Sequence, residues 1–273
     1  MHPLVFGRAA LNVPAISGKE FGINEESLRG RVAVVTGASS GIGAAVARAL
    51  AREGAHLALA ARRRDKLTEV QVGLECQGEE VRTLIVPTDV TDRWQVKSLV
   101  AHTEDKLGPV DILVNCAGIM YYSLIKNLRE DDWERTVEVN CKGAMNCIGA
   151  VLRGMLARGR GHIVTISSDA GRKVFPGLSV YSGSKFFVEA LLQGLRLETA
   201  GTGLKVTTIQ PGNVATDLPA LSHEAEALER YGQPSGARIL DPEDVAASVV
   251  HALKQPDHVA VNEILVEPRD EPV

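Results

Sequence analysis

The segment Thr36-Gly37-Ala38-Ser39-Ser40-Gly41-Ile42-Gly43 decides the fold of this chain. It follows directly on the β-branched run Val32–Thr36, and aliphatic residues at helical spacing cover residues 42–53 after it. This order predicts a buried strand, a tight loop and a helix. Glycines in such a loop let backbone amides approach a pyrophosphate, which the positive end of the helix dipole attracts. We therefore expect a dinucleotide here, bound by Gly37, Ser39, Ser40, Gly41, Ile42 and Gly43.

The alternation of strand and helix continues along the whole chain. Apolar runs predict strands at Val32–Thr36, His56–Ala60, Val81–Val86, Val110–Val114, His162–Ser167, Lys205–Ile209 and Asn262–Val266. Helical spacing predicts helices at Ile42–Glu53, Lys66–Gln77, Asp92–Leu107, Asp131–Ala157, Val180–Ala200 and Asp241–Lys254, and a short one around His223–Tyr231. Continuously apolar strands are buried on both faces. The pattern thus predicts an α/β, doubly wound Rossmann fold, with a parallel sheet of about seven strands and helices on both faces.

Length and charge limit the function further. The chain has 273 residues, of which 45% are hydrophobic and 23% charged, with a formal net charge of −4. Such a chain has no overall basic field for nucleic acid, and no apolar run approaches the roughly 20 residues of a membrane span. The cysteines, Cys76, Cys116, Cys141 and Cys147, form no metal-binding spacing, which predicts reduced thiols in a cytoplasmic protein without a metal.

Three regions follow from the composition along the chain. Residues 1–29 are irregular and predict an N-terminal arm, although a weak organellar presequence stays open. Residues 30–273 predict a single Rossmann-type domain. Within it, residues 212–240 form a long irregular stretch at the carboxyl end of a predicted strand, which favours a substrate-binding loop or lid.

The end of the second predicted strand indicates which dinucleotide binds. An acidic residue there would bind the ribose 2′-hydroxyl of NAD, whereas this chain has Ala61, Arg62 and Arg63. A guanidinium can hold a 2′-phosphate, so we expect NADP(H). The alternative is that these arginines are only the solvated start of a helix.

Tyr181 and Lys185 predict the chemistry. Their spacing within a predicted helix places both on one face. A nearby ammonium lowers the pKa of a phenol, which lets tyrosine pass a proton while hydride moves. Ser168 precedes Tyr181 by thirteen residues at the end of a predicted strand, where its hydroxyl can hydrogen-bond a substrate oxygen.

These motifs together resemble the short-chain dehydrogenase/reductase family over residues 31–217. The resemblance identifies Ser168, rather than Ser167, as the catalytic serine and implies that Lys185 binds the nicotinamide ribose. It further implies that Asn140 supports a proton-relay water. The cofactor contacts that it implies are Asp89, Val90, Asn115, Ala117, Gly118, Pro211, Gly212, Val214 and Thr216. Cys116 stands where the family has a second asparagine in its NNAG segment.

The resemblance implies an NADP(H)-dependent carbonyl reductase or alcohol dehydrogenase acting on CH–OH groups, as a homodimer or homotetramer. Residues 262–268 resemble family members acting on 3-hydroxy acids or serine, for which Lys126, Arg172 or Lys173 would meet a carboxylate. The same fold also suits a non-catalytic NADP-binding sensor or scaffold, and an epimerase or dehydratase. Candidate residues at the substrate mouth are Tyr121, Tyr122, Phe175 and Leu178, with an apolar loop at Leu218–Leu221.

Overall fold

Within residues 28–75, 81–233 and 236–271, which the computed structural model describes, seven strands form one parallel sheet. The strands are β1 Val32–Thr36, β2 His56–Ala61, β3 Thr83–Pro87, β4 Ile112–Asn115, β5 Gly161–Ile166, β6 Leu204–Pro211 and β7 Glu263–Val266. Their order is β3-β2-β1-β4-β5-β6-β7. The order reverses beside β1, and such a switch point opens a crevice at the carboxyl ends of the strands. The predicted doubly wound fold is confirmed.

Helices cover both faces of this sheet. They are α1 Gly41–Arg52, α2 Arg64–Glu75, α3 Arg93–Lys106, α4 Glu130–Thr136, α5 Gly143–Arg158, α6 Ser179–Glu198, α7 Ala225–Tyr231 and α8 Pro242–Leu253. On one face α3, α5 and α6 pack on the strands, and on the other α1, α2 and α8 do.

The burial of β1 shows how the sequence builds two cores. Val32 and Val34 pack into the cluster with α3, α5 and α6, while Ala33 and Val35 pack into the cluster with α1 and α8. Successive strand side chains point to opposite faces, so a strand that is apolar throughout contributes to both clusters.

Three of the predicted elements differ notably from the structure. The single helix predicted over Asp131–Ala157 is interrupted by a π-helical turn at Val137–Lys142 between α4 and α5. The spacing of apolar residues cannot reveal a single widened turn, because six residues are too few to distinguish the period of a π-helix from that of an α-helix. The third strand begins at Thr83 rather than Val81, and β6 continues to Pro211 rather than ending at Ile209, because it pairs with β7 as far as Val266.

Several expectations fall on residues that lie outside the described ranges. These include residues 1–27 of the expected arm, Cys76, and residues 234–235 of the expected lid. Leu28 is fully buried in the cluster that also contains Leu50. The other three cysteines are free thiols, as expected.

Candidate functional site

The carboxyl ends of β1 to β6 open into one cavity of about 760 Å³. Each of these strands is followed by residues that line the cavity, from Gly37 after β1 to Gly212 after β6. Because the strands are parallel, residues far apart in the sequence meet at this edge. The expected residues that line it are Gly37, Ser39, Ser40, Gly41, Ile42, Gly43, Ala61, Arg62, Arg63, Asp89, Val90, Ala117, Gly118, Ser168, Tyr181, Lys185, Pro211, Gly212, Val214 and Thr216.

The glycine loop is packed too closely for side chains at two positions. Gly37 has φ +64°, and a Cβ there would lie 2.9 Å from the backbone nitrogen of Ala117. A Cβ on Gly43 would overlap the carbonyl oxygen of Gly37. At the start of α1 the Ser40 side chain makes no capping hydrogen bond, and the first turn holds no carboxylate. The amides of this turn therefore suit an anion such as a pyrophosphate.

Arginines lie at the end of the cavity beside β2 and β3. Ala61 ends β2, and Arg62 and Arg63 follow it as exposed side chains that line the cavity. Arg63 donates to Ser39 Oγ at 3.4 Å, which links the arginines to the glycine loop. An exposed guanidinium beside a phosphate loop suits a 2′-phosphate.

Asp89 lies close to these arginines. Its Oδ1 accepts hydrogen bonds from the backbone nitrogen and hydroxyl of Thr91 at 2.9 and 2.8 Å. Burial alone would raise the pKa of Asp89, but the Thr91 hydrogen bonds and the charges of Arg135 and Arg62 together lower it. Arg135 also lines the cavity, 3.9 Å from Asp89 Oδ2. We therefore take this as the end that suits the adenosine half of a dinucleotide.

Three of the four expected catalytic side chains lie at the opposite end. Tyr181 and Lys185 are one turn apart on α6, and Ser168 follows β5. All three are buried, with relative exposures of 8, 7 and 7%. Lys185 Nζ donates to the Ile166 carbonyl oxygen at 2.9 Å and lies 5.5 Å from the Tyr181 ring centroid. One hydroxyl, one phenol and one ammonium thus face the same part of the cavity.

Burial controls the protonation of Tyr181. It raises the pKa of the phenol to about 12, while a hydrogen bond with Ser168 lowers it and the charge of Asp169 raises it. The loss of water around the phenol is the largest effect and favours the neutral form, and the expected lowering by Lys185 stays a prediction. A neutral phenol is the form that can donate a proton.

Lys185 is shifted in the opposite direction. Burial lowers its pKa to about 8, against an opposing effect of the nearby Glu189 carboxylate. Its charge therefore changes within a pH range where enzymes are commonly assayed.

Asn140 and Asn115 lie behind the cavity rather than in its wall. In the π-helical turn, Asn140 Oδ1 accepts from the Ile119 amide, and its Nδ2 donates to the Ile119 carbonyl and the Ser184 hydroxyl. Asn115 Nδ2 donates to Thr165 Oγ1 at 3.3 Å, which joins β4 to β5. These hydrogen bonds hold the end of β4 and the loop after it, which contains Gly118. Neither asparagine is among the described residues that line the cavity. Their expected direct roles therefore stay predictions.

Described residues of the segment 212–240 line the cavity, among them Val214, Thr216 and Tyr231. Thr216 Cγ2 lies 3.2 Å from the Cβ position of Gly41, so the segment closes against the glycine loop. On its other side, the Tyr122 and Leu124 amides donate to Ser222 Oγ and Glu224 Oε2, both at 2.8 Å. The role of this segment as a substrate-binding loop or lid stays a prediction.

Some lining residues were not identified from the sequence. They are Asp169, Asp217, Tyr231, Glu271, Arg135 and Met120. Asp169 had a sequence signal, since it directly follows Ser168, and Asp217 and Tyr231 lie within the predicted substrate-binding segment 212–240. Of the candidate mouth residues, Tyr122, Phe175 and Leu178 line the cavity, whereas Tyr121 packs against the core.

The described part of the chain holds neither a metal cluster nor a membrane span. No group of three or more histidine, cysteine, aspartate or glutamate side chains there could hold a metal ion. No helix in the same ranges is long and apolar enough to span a membrane.

Comparison with known proteins places this cavity in context. The model of the short chain dehydrogenase family matches residues 31–227. A protein of Emericella nidulans named glycine betaine reductase is 62% identical over 98% of this chain, although the chain spans only 21% of that relative's length. An uncharacterized oxidoreductase of Staphylococcus haemolyticus is 42% identical, over 88% of this chain and 98% of its own length.

Solved structures agree with this family match. An alcohol dehydrogenase from the archaeon Thermococcus sibiricus, complexed with 5-hydroxy-NADP, has a TM-score of 0.79 at 29% identity and covers 89% of this chain and 98% of its own. A serine dehydrogenase complexed with NADP+ has a TM-score of 0.79 at 30% identity and covers 89% and 96%.

Proposed function

The chain belongs to the short-chain dehydrogenase family of oxidoreductases, and from this we propose that it reduces an aldehyde or ketone to an alcohol with NADPH. The observation that carries the proposal is the single cavity with Arg62 and the glycine loop at one end and Ser168, Tyr181 and Lys185 at the other. The NADP complexes of its structural neighbours support the choice of cofactor.

Each end of the cavity has its own task in this proposal. The amides at the start of α1 bind the pyrophosphate, and Arg62 binds the 2′-phosphate. Lys185, which lies 3.9 Å from the Cβ position of Gly118, binds the nicotinamide ribose. The bound cofactor supplies a hydride to the carbonyl carbon.

The protein's own residues handle the carbonyl oxygen. The Ser168 hydroxyl, which donates to Asp169 Oδ1 in this structure, turns to donate to the carbonyl oxygen when the substrate binds. The Tyr181 phenol donates the proton that converts this oxygen to a hydroxyl. The raised pKa of Tyr181 keeps the phenol in the protonated form, which is the form that donates a proton to a carbonyl oxygen. Asn140 acts from behind the site, because its bonds to Ile119 and Ser184 hold the β4 end against α6.

The relatives bear on the substrate. The Emericella protein is named a reductase, and glycine betaine carries a quaternary ammonium group. That chemistry is a candidate substrate class for this chain, whereas an anionic hydroxy acid is less well supported. Lys126 pairs with Glu226 and Arg172 with Glu263, and neither these two cations nor Lys173 lines the cavity.

We also propose a homo-oligomer, because the helices α5 and α6 carry exposed apolar side chains, among them Met145, Phe186 and Phe187. Light scattering coupled to gel filtration measures its mass. A cytoplasmic location stays a prediction from the sequence.

The test of the function is NADPH oxidation with a panel of aldehydes and ketones, read at 340 nm with the alcohol product quantified. We expect one alcohol formed per NADPH consumed. NADPH binding by calorimetry without turnover on any carbonyl would contradict the proposal and favour a sensor. Product formed without NADPH consumption would favour an epimerase or dehydratase.

A further inference from the structure

The two ends of the cavity carry opposite charge. Arg62, Arg63 and Arg135 line the end that suits the adenosine half of the cofactor. Apart from Asp89, which lies among these arginines, the described wall holds three carboxylates and one lysine, Lys185. The carboxylates are Asp169, Asp217 and Glu271. A cofactor accounts for the basic end, but the acidic end lies where the substrate must bind.

Asp169 is the carboxylate next to the chemistry. Its Oδ1 accepts the hydrogen bond of Ser168 Oγ at 2.7 Å, so it lies one hydrogen bond from the hydroxyl that would hold the substrate oxygen. Burial raises the pKa of Asp169 and the neighbouring Glu267 carboxylate raises it further, whereas the hydrogen bonds from Ser168 and Ala170 and the charge of Lys173 lower it in part. A positive charge bound beside Asp169 would relieve this repulsion.

A second carboxylate reaches the cavity from the C-terminal segment. Glu271 Oε2 accepts from Asn213 Nδ2 at 2.8 Å. Its Oε1 is shielded from water and has no hydrogen-bond partner among the described residues. A shielded carboxylate oxygen is costly unless a donor or a cation meets it.

Aromatic rings complete the same end. Tyr122 and Phe175 pack against the buried cluster that contains Tyr181, and Tyr231 of α7 lines the wall above them. The Asp169 charge contributes to a raised pKa of Tyr122, after the larger effect of burial, so phenol and carboxylate are neighbours. Phe175 already has a cation over its ring, since Lys173 Nζ lies 5.0 Å from the centroid. Rings beside carboxylates are the surroundings that quaternary ammonium groups favour.

We propose that this acidic and aromatic end binds the ammonium group of a small cationic aldehyde or ketone, with Asp169 as its main counter-charge. The inference rests on the proposed function, because Tyr181 and Ser168 fix where the carbonyl oxygen lies. Asp169 is adjacent to Ser168, so the ammonium belongs one or two carbons from the carbonyl. A carboxylate substrate would face three like charges instead.

The test compares substrates of the same shape that differ in charge. Trimethylammonioacetaldehyde and 3,3-dimethylbutanal differ only in a quaternary nitrogen replacing a quaternary carbon, and 4-oxobutanoate supplies an anionic aldehyde. We expect kcat/KM with NADPH, corrected for the hydrated fraction of each aldehyde, to favour the cation over its isostere by at least about tenfold. The anionic aldehyde should be the poorest substrate.

A binding experiment separates this inference from the proposed function. Choline and 3,3-dimethylbutan-1-ol form the corresponding pair of alcohols, and with NADPH bound neither can react. Calorimetry should show choline binding at least about tenfold more tightly than its isostere. Tighter choline binding without turnover of any aldehyde would contradict the proposed function alone. If the enzyme reduces 3,3-dimethylbutanal as efficiently as trimethylammonioacetaldehyde and binds both alcohols equally, the inferred ammonium site is wrong while the proposed reductase function stands.

Variants assign the effect to residues. Asp169→Asn should reduce the preference for choline over its isostere to within a factor of about three, and Glu271→Gln should reduce it less. Asp105→Asn, at an exposed position on α3, is the matched control and should keep the full preference. Because the readout is a ratio within each variant, a general loss of folding or rate does not imitate the result. An undiminished preference in both Asp169→Asn and Glu271→Gln would refute the assignment.

Discussion

Lys185 Nζ lies 5.5 Å from the centroid of the Tyr181 ring, one helical turn along α6. Burial acts on the two side chains in opposite directions, raising the pKa of the phenol to about 12 and lowering that of the ammonium to about 8. Burial thus favours the neutral form of both, so that near neutral pH the phenol keeps its proton while the lysine is close to losing one.

Removal of the phenol hydroxyl should abolish reduction without unfolding the protein. Tyr181→Phe keeps the ring within its apolar cluster but removes the proton donor. We expect kcat to fall by about 10²–10⁴, with NADPH affinity unchanged. Steady-state rates and NADPH calorimetry measure the two effects. A variant that retains about a tenth of the wild-type rate would show that another group supplies the proton.

The pH dependence should reflect Lys185. Its folded-state pKa is lowered, so the ammonium is charged below about pH 8 and neutral above it. We expect kcat/KM for reduction to decline as pH rises through about 8. The arginine in Lys185→Arg stays charged over this pH range. The variant should therefore lack the inflection, even if its overall rate is lower. An identical inflection in both proteins would assign the titration to a different group.

Substitution of two adjacent serines tests which of them is the catalytic serine at the end of β5. The Ser168 hydroxyl lowers the pKa of the Tyr181 phenol and donates to Asp169 Oδ1 at 2.7 Å. The buried Ser167 hydroxyl has no hydrogen-bond partner among the described residues and lies 3.0 Å from the Cβ position of Gly171. Ser168→Ala should lower kcat by about 10²–10³. Ser167→Ala removes a hydroxyl of the same size and should have much less effect. The reverse order would place the catalytic serine one residue earlier.

The sequence predicts the fold and the catalytic end of the site well, because both depend on local patterns. The strand–glycine–helix unit at 32–53 fixes the first β-strand and the phosphate loop, and Tyr181 and Lys185 share a face by spacing alone. Parallel strands then bring Ser168 to the same edge. Ala61 and Arg62 predict the end of the cavity that suits NADP(H), because the apolar run before them shows where β2 ends.

The substrate end could not be predicted in the same way. Tyr231 ends the short helix α7 and Glu271 lies in an irregular segment, and the positions of both depend on contacts between distant parts of the chain, such as that of Glu271 with Asn213. The direction of the Tyr181 pKa shift also escaped the sequence. The spacing reveals Lys185 beside the phenol but gives no measure of how completely both are buried, and burial is the larger effect.

A buried histidine should make the protein acid-sensitive. His162 on β5 hydrogen-bonds Thr207 Oγ1 at 2.8 Å, and burial, with the charges of Lys205 and Arg31, lowers its pKa to about 3. Between the unfolded value of 6.5 and this folded value, only the unfolded chain binds the proton. The free energy of unfolding should therefore fall by up to about 1.4 kcal/mol per pH unit as pH decreases through this range.

Denaturant titrations between pH 7 and pH 4 measure this effect. His162→Gln removes the titration while keeping a side chain that can hydrogen-bond Thr207, so its stability should depend less on pH. His102→Gln, on the exposed side of α3, is the control and should follow the wild-type protein. Parallel pH profiles for the wild type and His162→Gln would show that other groups determine the acid sensitivity.

The choice of cofactor should depend on two neighbouring positions. Ala61 and Arg62 line the cavity beside the glycine loop, and Arg62 is exposed there. Losing a charge-assisted hydrogen bond costs about 1.5–3 kcal/mol, so Arg62→Ala should raise KM for NADPH by about 10- to 150-fold. Solvent screening favours the lower end of this range. KM for NADH should barely change, because NADH lacks the 2′-phosphate.

Ala61→Asp should have a larger effect than Arg62→Ala. The added carboxylate repels the 2′-phosphate and can accept hydrogen bonds from the free ribose hydroxyls of NADH, so the preference should move towards NADH. Arg64→Ala is the matched control, since Arg64 is also exposed in the same arginine run but does not line the cavity. Values of kcat/KM for both cofactors, at low and high salt, provide the measurement. Since salt screens exposed charges, NADPH should weaken more than NADH as ionic strength rises. An Arg62→Ala protein that loses both cofactors equally would mean that the arginines are only the solvated start of α2.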